Sequence, residues 1–302
     1  MMRVTVLGCG YVGLELGRRL AGDHEVVGVR RSDAGLDAIS EAGFEGVRAD
    51  VTDAASLEAV PDADTLVFAA SSGGRDAAAA REVYVEGLRT AIEAFGRRTD
   101  SPDRLVYTSS TGVYGDHGGD WVDETTPVEP TTEKTRVLAE AERVAREEAA
   151  EHGITGLVAR FAGLYGPGRY RLDRYLDGPV TEGYLNMVHR DDAAGAVRLL
   201  LEGTGDAATD DTGGVVLVVD DEPISKHALA DWLAERCGVP APAKRTKAER
   251  LAEDDLSTAA RRRIETEKRC SNELLRGLGY EFEHPTYREG YRAAIEAYRS
   301  RR

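Results

Sequence analysis

Short apolar runs alternate with longer, helix-like segments over the first 165 residues of the chain. The short runs are rich in valine and leucine and have the length of buried strands. They lie at 4–7, 25–29, 46–49, 66–69, 105–108 and 156–159. Between them, apolar residues recur every three or four positions, which predicts helices at 11–20, 36–42, 76–97 and 137–152. Strands joined by helices at this spacing predict right-handed crossovers and a parallel sheet.

Beyond residue 165 the pattern becomes irregular. Helices are predicted at 191–202, 225–237 and 286–299, and a strongly apolar strand at 214–219. The stretch 240–263 is polar and charged, which predicts an exposed or mobile segment. The last helix carries an apolar and aromatic stripe that is typical of core packing rather than of a cofactor site: Tyr287, Tyr291, Ile295 and Tyr298.

These elements predict an α/β fold of the Rossmann type, with a doubly wound parallel sheet of about seven strands and a small C-terminal substrate lobe. We expect residues 1–165 to form the nucleotide-binding domain, with 186–220 returning to it. The substrate lobe is then expected from 166–185 and 221–302.

Charge narrows the range of partners. The 302 residues carry 54 acids against 39 Lys and Arg, for a net charge of -15, and only five of the cations are lysines. This balance argues against a nucleic-acid-binding face and against adhesion to anionic lipid. The acid excess and the scarcity of lysine favour an extreme halophile as the source; a GC-rich genome is the alternative, but it does not explain the acids.

Cysteine and histidine are sparse and dispersed. The three cysteines contain no Cys-x-x-Cys pair, and the six histidines show no metal-ligand spacing, so we expect neither a disulfide framework nor a metal site. The N-terminus leads directly into a strand, and no apolar run approaches the roughly 18 residues of a membrane span. We therefore expect a cytoplasmic protein that binds no membrane.

The sharpest local signal is the glycine motif Gly8-Cys9-Gly10-Tyr11-Val12-Gly13, placed between the first strand and the first helix. In a dinucleotide loop, Gly8 would permit the tight turn, Gly10 the approach of the pyrophosphate, and Gly13 close packing of helix on strand. The helix N-terminus would face the anion, beside Tyr11 and Val12. The alternative is a glycine turn without a ligand.

The second strand ends in Arg30, Arg31 and Ser32, where NAD-binding proteins usually place an acid for the ribose. Two guanidinium groups and a hydroxyl suit a 2′-phosphate, so NADP(H) is preferred to NAD(H), unless one arginine is merely a solvated surface residue. The ends of the third and fourth strands supply further expected contacts to adenine and to the nicotinamide side: Asp50, Val51, Ala69, Ala70 and Ser71.

Several segments together resemble the extended short-chain dehydrogenase/reductase superfamily, and within it the NAD-dependent epimerase/dehydratase group. Besides the glycine loop and Asp50-Val51, they are Val106-Tyr-Thr-Ser-Ser-Thr-Gly-Val-Tyr-Gly115, Arg160-Phe-Ala-Gly-Leu-Tyr-Gly-Pro-Gly168 and Asn186-Met-Val-His-Arg-Asp-Asp192. The tail, which includes Lys268-Arg-Cys-Ser-Asn272, looks like an atypical branch of sugar-epimerase-like proteins.

The resemblance implies a Ser or Thr, a Tyr and a Lys as the catalytic set, with the Tyr exchanging a proton with the substrate oxygen. Ser110 falls on the Ser/Thr position, but the Tyr and Lys positions hold Thr132 and Arg136. A threonine has no accessible pKa near neutrality, whereas Arg136 could still hold the ribose of the cofactor. Lys134 is expected to project from a different face of the helix.

Two hypotheses follow from this departure. The first is an NAD(P)-dependent oxidoreductase, epimerase or dehydratase with an atypical active site, acting on a sugar-like or nucleotide-linked small molecule. The second is a non-catalytic or regulatory NADP(H)-binding protein. The resemblance also implies a substrate region, for which we name Tyr114, Tyr165, Asn186 and His189, and a homodimer through the two long helices of the main domain.

Overall fold

The computed structural model describes residues 1–73, 76–203 and 212–301. Seven parallel strands form one sheet in the order β12-β7-β5-β4-β1-β2-β3, which confirms the predicted α/β fold and strand number. These strands are β1 Arg3–Leu7, β2 Glu25–Arg30, β3 Glu45–Arg48, β4 Thr65–Phe68, β5 Arg104–Ser110, β7 Thr155–Phe161 and β12 Val215–Val218. From β1 the chain moves outward to β3 and then crosses back to β4, so the direction of winding reverses between β1 and β4.

Helices cover both faces of the sheet. Those of the main domain are α1 Tyr11–Leu20, α2 Asp33–Glu41, α3 Ala54–Leu57, α4 Ala77–Arg81, α5 Gly87–Gly96, α6 Glu133–Arg143, α7 Ala149–Glu151 and α9 Arg190–Glu202. Alternate strand residues face opposite layers: Val67 packs into the apolar cluster beneath α1 and α9, while Leu66 and Phe68 pack beneath α5 and α6. Burial on both faces explains why the strand sequences are continuous apolar runs rather than alternating ones.

Each of the two long predicted helices is interrupted by a π-helical turn. Glu82–Glu86 separates α4 from α5, and Val144–Glu148 separates α6 from α7. The second helix also begins four residues before the predicted start, because Thr132 caps it at Glu133.

The remaining elements do not belong to the large sheet, and most of them lie in the C-terminal part of the chain. Small strands pair as β6 Trp121–Val122 with β15 Arg269–Cys270, β8 Gly163–Tyr165 with β11 Met187–His189, β9 Val180–Thr181 with β14 Lys244–Arg245, and β10 Tyr184–Leu185 with β13 Ile224–Ser225. The helices are α8 Leu172–Leu176, α10 Lys226–Cys237, α11 Lys247–Leu251, α12 Thr258–Glu265, α13 Glu273–Gly277, α14 Tyr287–Gly290 and α15 Arg292–Ser300.

The predicted aromatic stripe of the tail is a packing feature. Tyr287, Tyr291 and Ile295 are buried in a third apolar cluster together with residues of α8 and α10, although the predicted single helix is divided at Tyr291. The polar stretch 240–263 contains β14, α11 and part of α12, where the sequence predicted only an exposed or mobile segment. None of the helices within the described ranges is both long and apolar enough to cross a membrane.

Candidate functional site

A cleft of about 730 Å³ opens at the carboxyl ends of the strands, where the direction of winding reverses between β1 and β4. Its volume lies within the roughly 300–1,000 Å³ that is usual for ligand sites, and its position is the expected one for an open α/β sheet. The structure brings the following predicted residues together on its walls: Gly8, Gly10, Tyr11, Val12, Gly13, Arg30, Arg31, Ser32, Asp50, Val51, Ala69, Ala70, Ser71 and Ser110.

The glycine loop lies directly on the end of β4. Gly8 has a φ of +82°, and a Cβ placed there would lie 2.2 Å from Cα of Ala70, so no larger residue fits without displacing backbone. Backbone amides of Gly8 and Cys9 donate to the carbonyl of Val29 and fix the loop to β2. Gly10 caps α1 without a side-chain hydrogen bond, so the first amides of the helix have no side-chain acceptor and suit an anion in the cleft.

Two arginine side chains, Arg30 and Arg31, lie at one end of the glycine loop. Nη1 of Arg30 donates to the carbonyl of Cys9 at 3.2 Å, and Nη1 of Arg31 lies 3.2 Å from Oδ2 of Asp50. The carboxylate of Asp33 is turned away and pairs with Arg48. The arginines, rather than an acid, therefore face the cleft at the end of β2.

Asp50 stays ionised beside this positive charge. Partial burial opposes its charge, but hydrogen bonds from Thr52 and the interaction with Arg31 outweigh that effect and hold its pKa below the ordinary value. Cys9 behaves differently: burial raises the pKa of its thiol to about 12, so it fills space beneath the loop as a neutral group.

The two remaining members of the predicted catalytic set lie outside the lining of the cleft. Thr132 caps α6, and its Oγ1 accepts from the amide of Thr135 at 3.0 Å. The Arg136 side chain is 60% exposed, and its Nη1 lies 3.9 Å from Oε1 of Glu133. Neither residue is among those that line the cleft.

Lys134 lines the cleft instead, which reverses the expected orientation of the helix. Residues 134 and 136 are separated by about 200° around a helix that advances 100° per residue, so only one of them can face the cleft. The position of the cap at Thr132 places Lys134 in the first turn and on the inner side.

The four predicted substrate residues also lie outside the lining of the cleft. Tyr114 is buried; its hydroxyl donates to the carbonyl of Asp123 at 2.6 Å and accepts from Nη1 of Arg160 at 2.7 Å. Tyr165 is buried and stacks on Tyr291 with ring centroids 5.0 Å apart. Tyr114 is thus tied to Arg160 of β7 and Tyr165 to the third apolar cluster, and neither ring lines the cleft.

Asn186 and His189 both contact the C-terminal part of the chain. Asn186 donates to the carbonyl of Lys268 and accepts from the amide of Cys270. His189 caps α9 through Nδ1, and its ring stacks on that of His284 at 3.7 Å. Both residues lie outside the lining of the cleft.

One group of three side chains in the described part of the chain has metal-ligand geometry, with the donor atoms of His189, Asp192 and His284 within 4.8 Å of one another. The carboxylate of Asp192 is already satisfied, because its oxygens accept from the amides of Glu283 and His284, the hydroxyl of Tyr280 and the ring of His284. Through these hydrogen bonds, Asp192 of α9 holds the C-terminal segment at Glu283 and His284 in place.

Other lining residues were not anticipated from the sequence. Arg169 stacks on the ring of Tyr11, with Cζ 3.9 Å from the centroid, and directly follows the segment that ends at Gly168. Tyr84 lies in a predicted helix whose apolar pattern gave no sign that it faces a ligand site. Apolar side chains complete the inner wall: Val83, Leu138, Phe161 and Leu164.

Sequence comparisons agree with this geometry. The profile of the NAD dependent epimerase/dehydratase family matches residues 4–210. Protein YeeZ of Escherichia coli is 35% identical over 218 residues, which are 67% of this chain and 74% of YeeZ. The 3-diazoavenalumate denitrifying reductase of a Streptomyces species is 32% identical over 226 residues, 68% of either chain.

Solved structures share the fold over almost the whole chain. UDP-glucose 4-epimerase of Thermus thermophilus, in complex with NAD, gives a TM-score of 0.77 at 20% identity and covers 99% of both chains. The human epimerase family protein SDR39U1 (isoform 2), with NADPH, gives 0.75 at 20% identity and covers 98% of this chain and 99% of its own.

Proposed function

Because the chain belongs to the NAD-dependent epimerase/dehydratase family, we propose that it is an NADP(H)-dependent oxidoreductase with an atypical active site, acting on a sugar-like or nucleotide-linked small molecule. One observation carries this proposal: the glycine loop, two arginines and Ser110 converge on a single cleft at the point where the sheet reverses its winding. Of the two solved structures described above, one holds NAD and the other NADPH, which supports a nicotinamide dinucleotide.

The residues present fit that cofactor. The start of α1 would hold the pyrophosphate, Arg30 and Arg31 would hold a 2′-phosphate, and Asp50 with Val51 would contact the adenine side. Ala69 to Ser71 would lie beneath the nicotinamide, which when bound supplies or accepts a hydride. The close approach of Gly8 to Ala70 supports this arrangement, because a glycine at this position lets the loop lie against the end of β4, as in a dinucleotide-binding turn.

On the substrate side, Ser110 would orient the reacting oxygen. Its Oγ accepts from the amide of Gly112 at 3.1 Å, which leaves its own proton free to be donated into the cleft. Thr132 can supply neither an acid nor a base, since its hydroxyl lies at the helix cap and does not line the cleft. The apolar cluster around Tyr175, Leu229 and Tyr287 would form the lobe that closes over the substrate.

A non-catalytic NADP(H)-binding protein is the second candidate. The absence of a tyrosine at position 132 and the outward position of Arg136 favour it. The two candidates make the same prediction for cofactor binding and opposite ones for turnover.

Calorimetric titration with NADPH and with NADH, in low and in high potassium chloride, tests the shared premise. We expect micromolar binding of NADPH and weaker binding of NADH. Oxidation or reduction of the cofactor is then followed by absorbance with UDP-glucose, dTDP-glucose and their keto derivatives. Failure to bind either dinucleotide contradicts the cofactor assignment, whereas binding without turnover of any probe favours the second candidate.

We further propose that two copies associate through the long helices. Two ion pairs already link these helices within one chain, Arg81 with Glu140 and Arg89 with Glu148, and stiffen the surface that a second copy would cover. Light scattering should give twice the mass of the chain; the monomer mass in both salt conditions would contradict this assignment.

Cellular location and source are also part of the proposal. The buried thiols of Cys9 and Cys270 suit a reducing cytoplasm. The net charge of -15 suits a salt-rich one, so we expect unfolding transitions to move to higher temperature in molar potassium chloride.

A further inference from the structure

We propose that Tyr84 is the proton-transferring phenol of this cleft and that Lys134 is its positioning cation, so that the two together replace the tyrosine missing at position 132. The inference rests on the proposed function, since a proton must be moved only if a substrate is reduced or oxidised. It assigns chemistry to two side chains that face the cleft but belong to none of the motifs discussed above.

Tyr84 reaches the cleft from the π-helical turn between α4 and α5. Such turns occur frequently at functional sites, because the added residue changes the direction of the side chains around it. The ring is half-buried between this turn and the loop that follows β4. The amide and the Oγ of Ser72 both donate toward its hydroxyl at 3.5 Å, on the side of the cleft expected to face the nicotinamide.

Lys134 approaches the same region from the first turn of α6, which packs against the π-helical turn. Both side chains line the cleft, together with Ser71 and Ser110. The arrangement therefore contains a phenol, a cation and a hydroxyl, which are the three groups that the resemblance implied for positions 132, 136 and 110.

The electrostatic setting distinguishes Tyr84 from the other tyrosines of the site. Burial alone would raise its pKa, but hydrogen bonds from Ser72 and Ser71 and the charge of Lys134 outweigh burial and lower it. Burial raises the pKa of Tyr107 of β5, and the charges of Glu142 and Tyr84 add to that effect. Burial raises the pKa of the remaining tyrosines near the cleft: Tyr11, Tyr114, Tyr165 and Tyr170.

The proton balance of the step is simple. When a carbonyl carbon of the substrate gains hydride from reduced nicotinamide, its oxygen takes the phenol proton of Tyr84: the phenol O–H bond breaks and an alcohol O–H bond forms. The tyrosinate that remains is stabilised by Lys134 and by the donors of Ser72, and it regains a proton from water. Oxidation of an alcohol by the oxidised cofactor runs through the same atoms in reverse.

A first experiment needs no cofactor or substrate. Tyrosinate absorbance is titrated against pH in the wild-type chain and in Tyr84→Phe, Lys134→Met and Lys134→Arg, with the exposed Tyr184→Phe as the matched control. We expect one tyrosine to titrate below the others in the wild type. This step should disappear in Tyr84→Phe, move upward in Lys134→Met, and remain in Lys134→Arg and in the control.

A second experiment measures binding and turnover separately. NADPH affinity should stay within about threefold in Tyr84→Phe, while kcat for any sugar probe that is turned over falls by about 10²–10⁴, the usual contribution of general acid–base catalysis. In Lys134→Met the pH profile of kcat should shift in the same direction as the tyrosinate titration. A kcat unchanged by Tyr84→Phe overturns the inference.

The two experiments separate the possible failures. If no dinucleotide binds, the proposed function fails, whatever the titration shows. If NADPH binds but no probe is turned over, the titration decides alone, and a low tyrosinate step that survives Tyr84→Phe or ignores Lys134→Met overturns the pairing of these residues.

Discussion

Thr132 and Thr135 cap the start of α6 reciprocally. Oγ1 of Thr132 accepts from the amide of Thr135 at 3.0 Å, and Oγ1 of Thr135 accepts from the amide of Thr132 at the same distance. Both hydroxyls are thereby committed to the backbone, which satisfies two amides that a helix start otherwise leaves without partners. Thr132, which the resemblance places at the tyrosine position, therefore acts as a structural element of the helix.

Thr132→Ala should therefore lower the free energy of unfolding by about 1 kcal/mol, the usual effect of losing an N-cap, and leave NADPH affinity unchanged. Urea denaturation and cofactor titration measure the two quantities. Thr132→Ser should retain most of the stability, and the exposed neighbour Thr131→Ala serves as the control. Unchanged stability combined with lost turnover would instead assign Thr132 a chemical role.

A buried ion pair between Arg160 of β7 and Glu142 of α6 holds this helix against the sheet. Nη2 of Arg160 lies 2.7 Å from Oε2 of Glu142, both side chains are at most 5% exposed, and Ser109 donates to the same carboxylate at 2.6 Å. Arg160→Ala leaves that carboxylate buried without its cation, so we expect a loss of about 3–5 kcal/mol in urea denaturation. Arg143→Ala, which breaks an exposed pair with Glu147, should cost less than about 1 kcal/mol. Equal losses in the two variants would show that burial does not determine the strength of the Arg160 pair.

The sheet and the glycine loop could be predicted because their signals are local. Apolar runs such as 66–69 are too short for a buried helix and so predict a buried strand. Gly8 stands where only a residue without a Cβ fits against Ala70. The helix predicted at 225–237 likewise begins where its sequence indicates, because the Ser225 side chain accepts from the amide of Ala228 and caps the helix.

The catalytic side of the cleft could not be predicted in the same way. Which of Lys134 and Arg136 faces inward depends on the phase of α6, and that phase is set by the cap and by packing against the neighbouring helices. The direction of Tyr84 depends on a π-helical turn, for which an apolar period of three or four residues gives no signal. The buried positions of Tyr114 and His189 arise from partners far away in sequence, Arg160 and His284.

Acid should destabilise the protein through His189. Burial, followed by the charge of His284, lowers its pKa from the ordinary 6.5 to about 4, and its side chain is 2% exposed. Between these values His189 binds a proton in the unfolded chain but not in the folded chain, so stability falls as pH decreases from 6.5 to 4, by about 3 kcal/mol. Urea denaturation across this range measures the loss.

His189→Asn isolates this contribution, since asparagine can accept from the amide of Asp191 at the helix cap but does not titrate. The variant should lose less stability than the wild type over the same pH range. His284 acts in the opposite direction: its hydrogen bond with Asp192 raises its pKa, so its contribution is complete below pH 6.5 and fades as pH rises through the higher folded value. Identical pH profiles for wild type and His189→Asn would show that His189 takes up a proton in the folded state as readily as in the unfolded one.

Discrimination between the two dinucleotides should depend on Arg30 and Arg31. A charge-assisted hydrogen bond to a 2′-phosphate is worth about 1.5–3 kcal/mol, so each alanine variant should weaken NADPH binding by about tenfold or more. NADH lacks that phosphate, and its affinity should change by less than about threefold. Because Arg30 also donates to the carbonyl of Cys9, Arg30→Ala should disturb NADH binding more than Arg31→Ala does.

Arg97→Ala, at a side chain 73% exposed and away from the cleft, is the control. A preference for NADH in the wild type that neither variant alters would contradict a 2′-phosphate site at the end of β2.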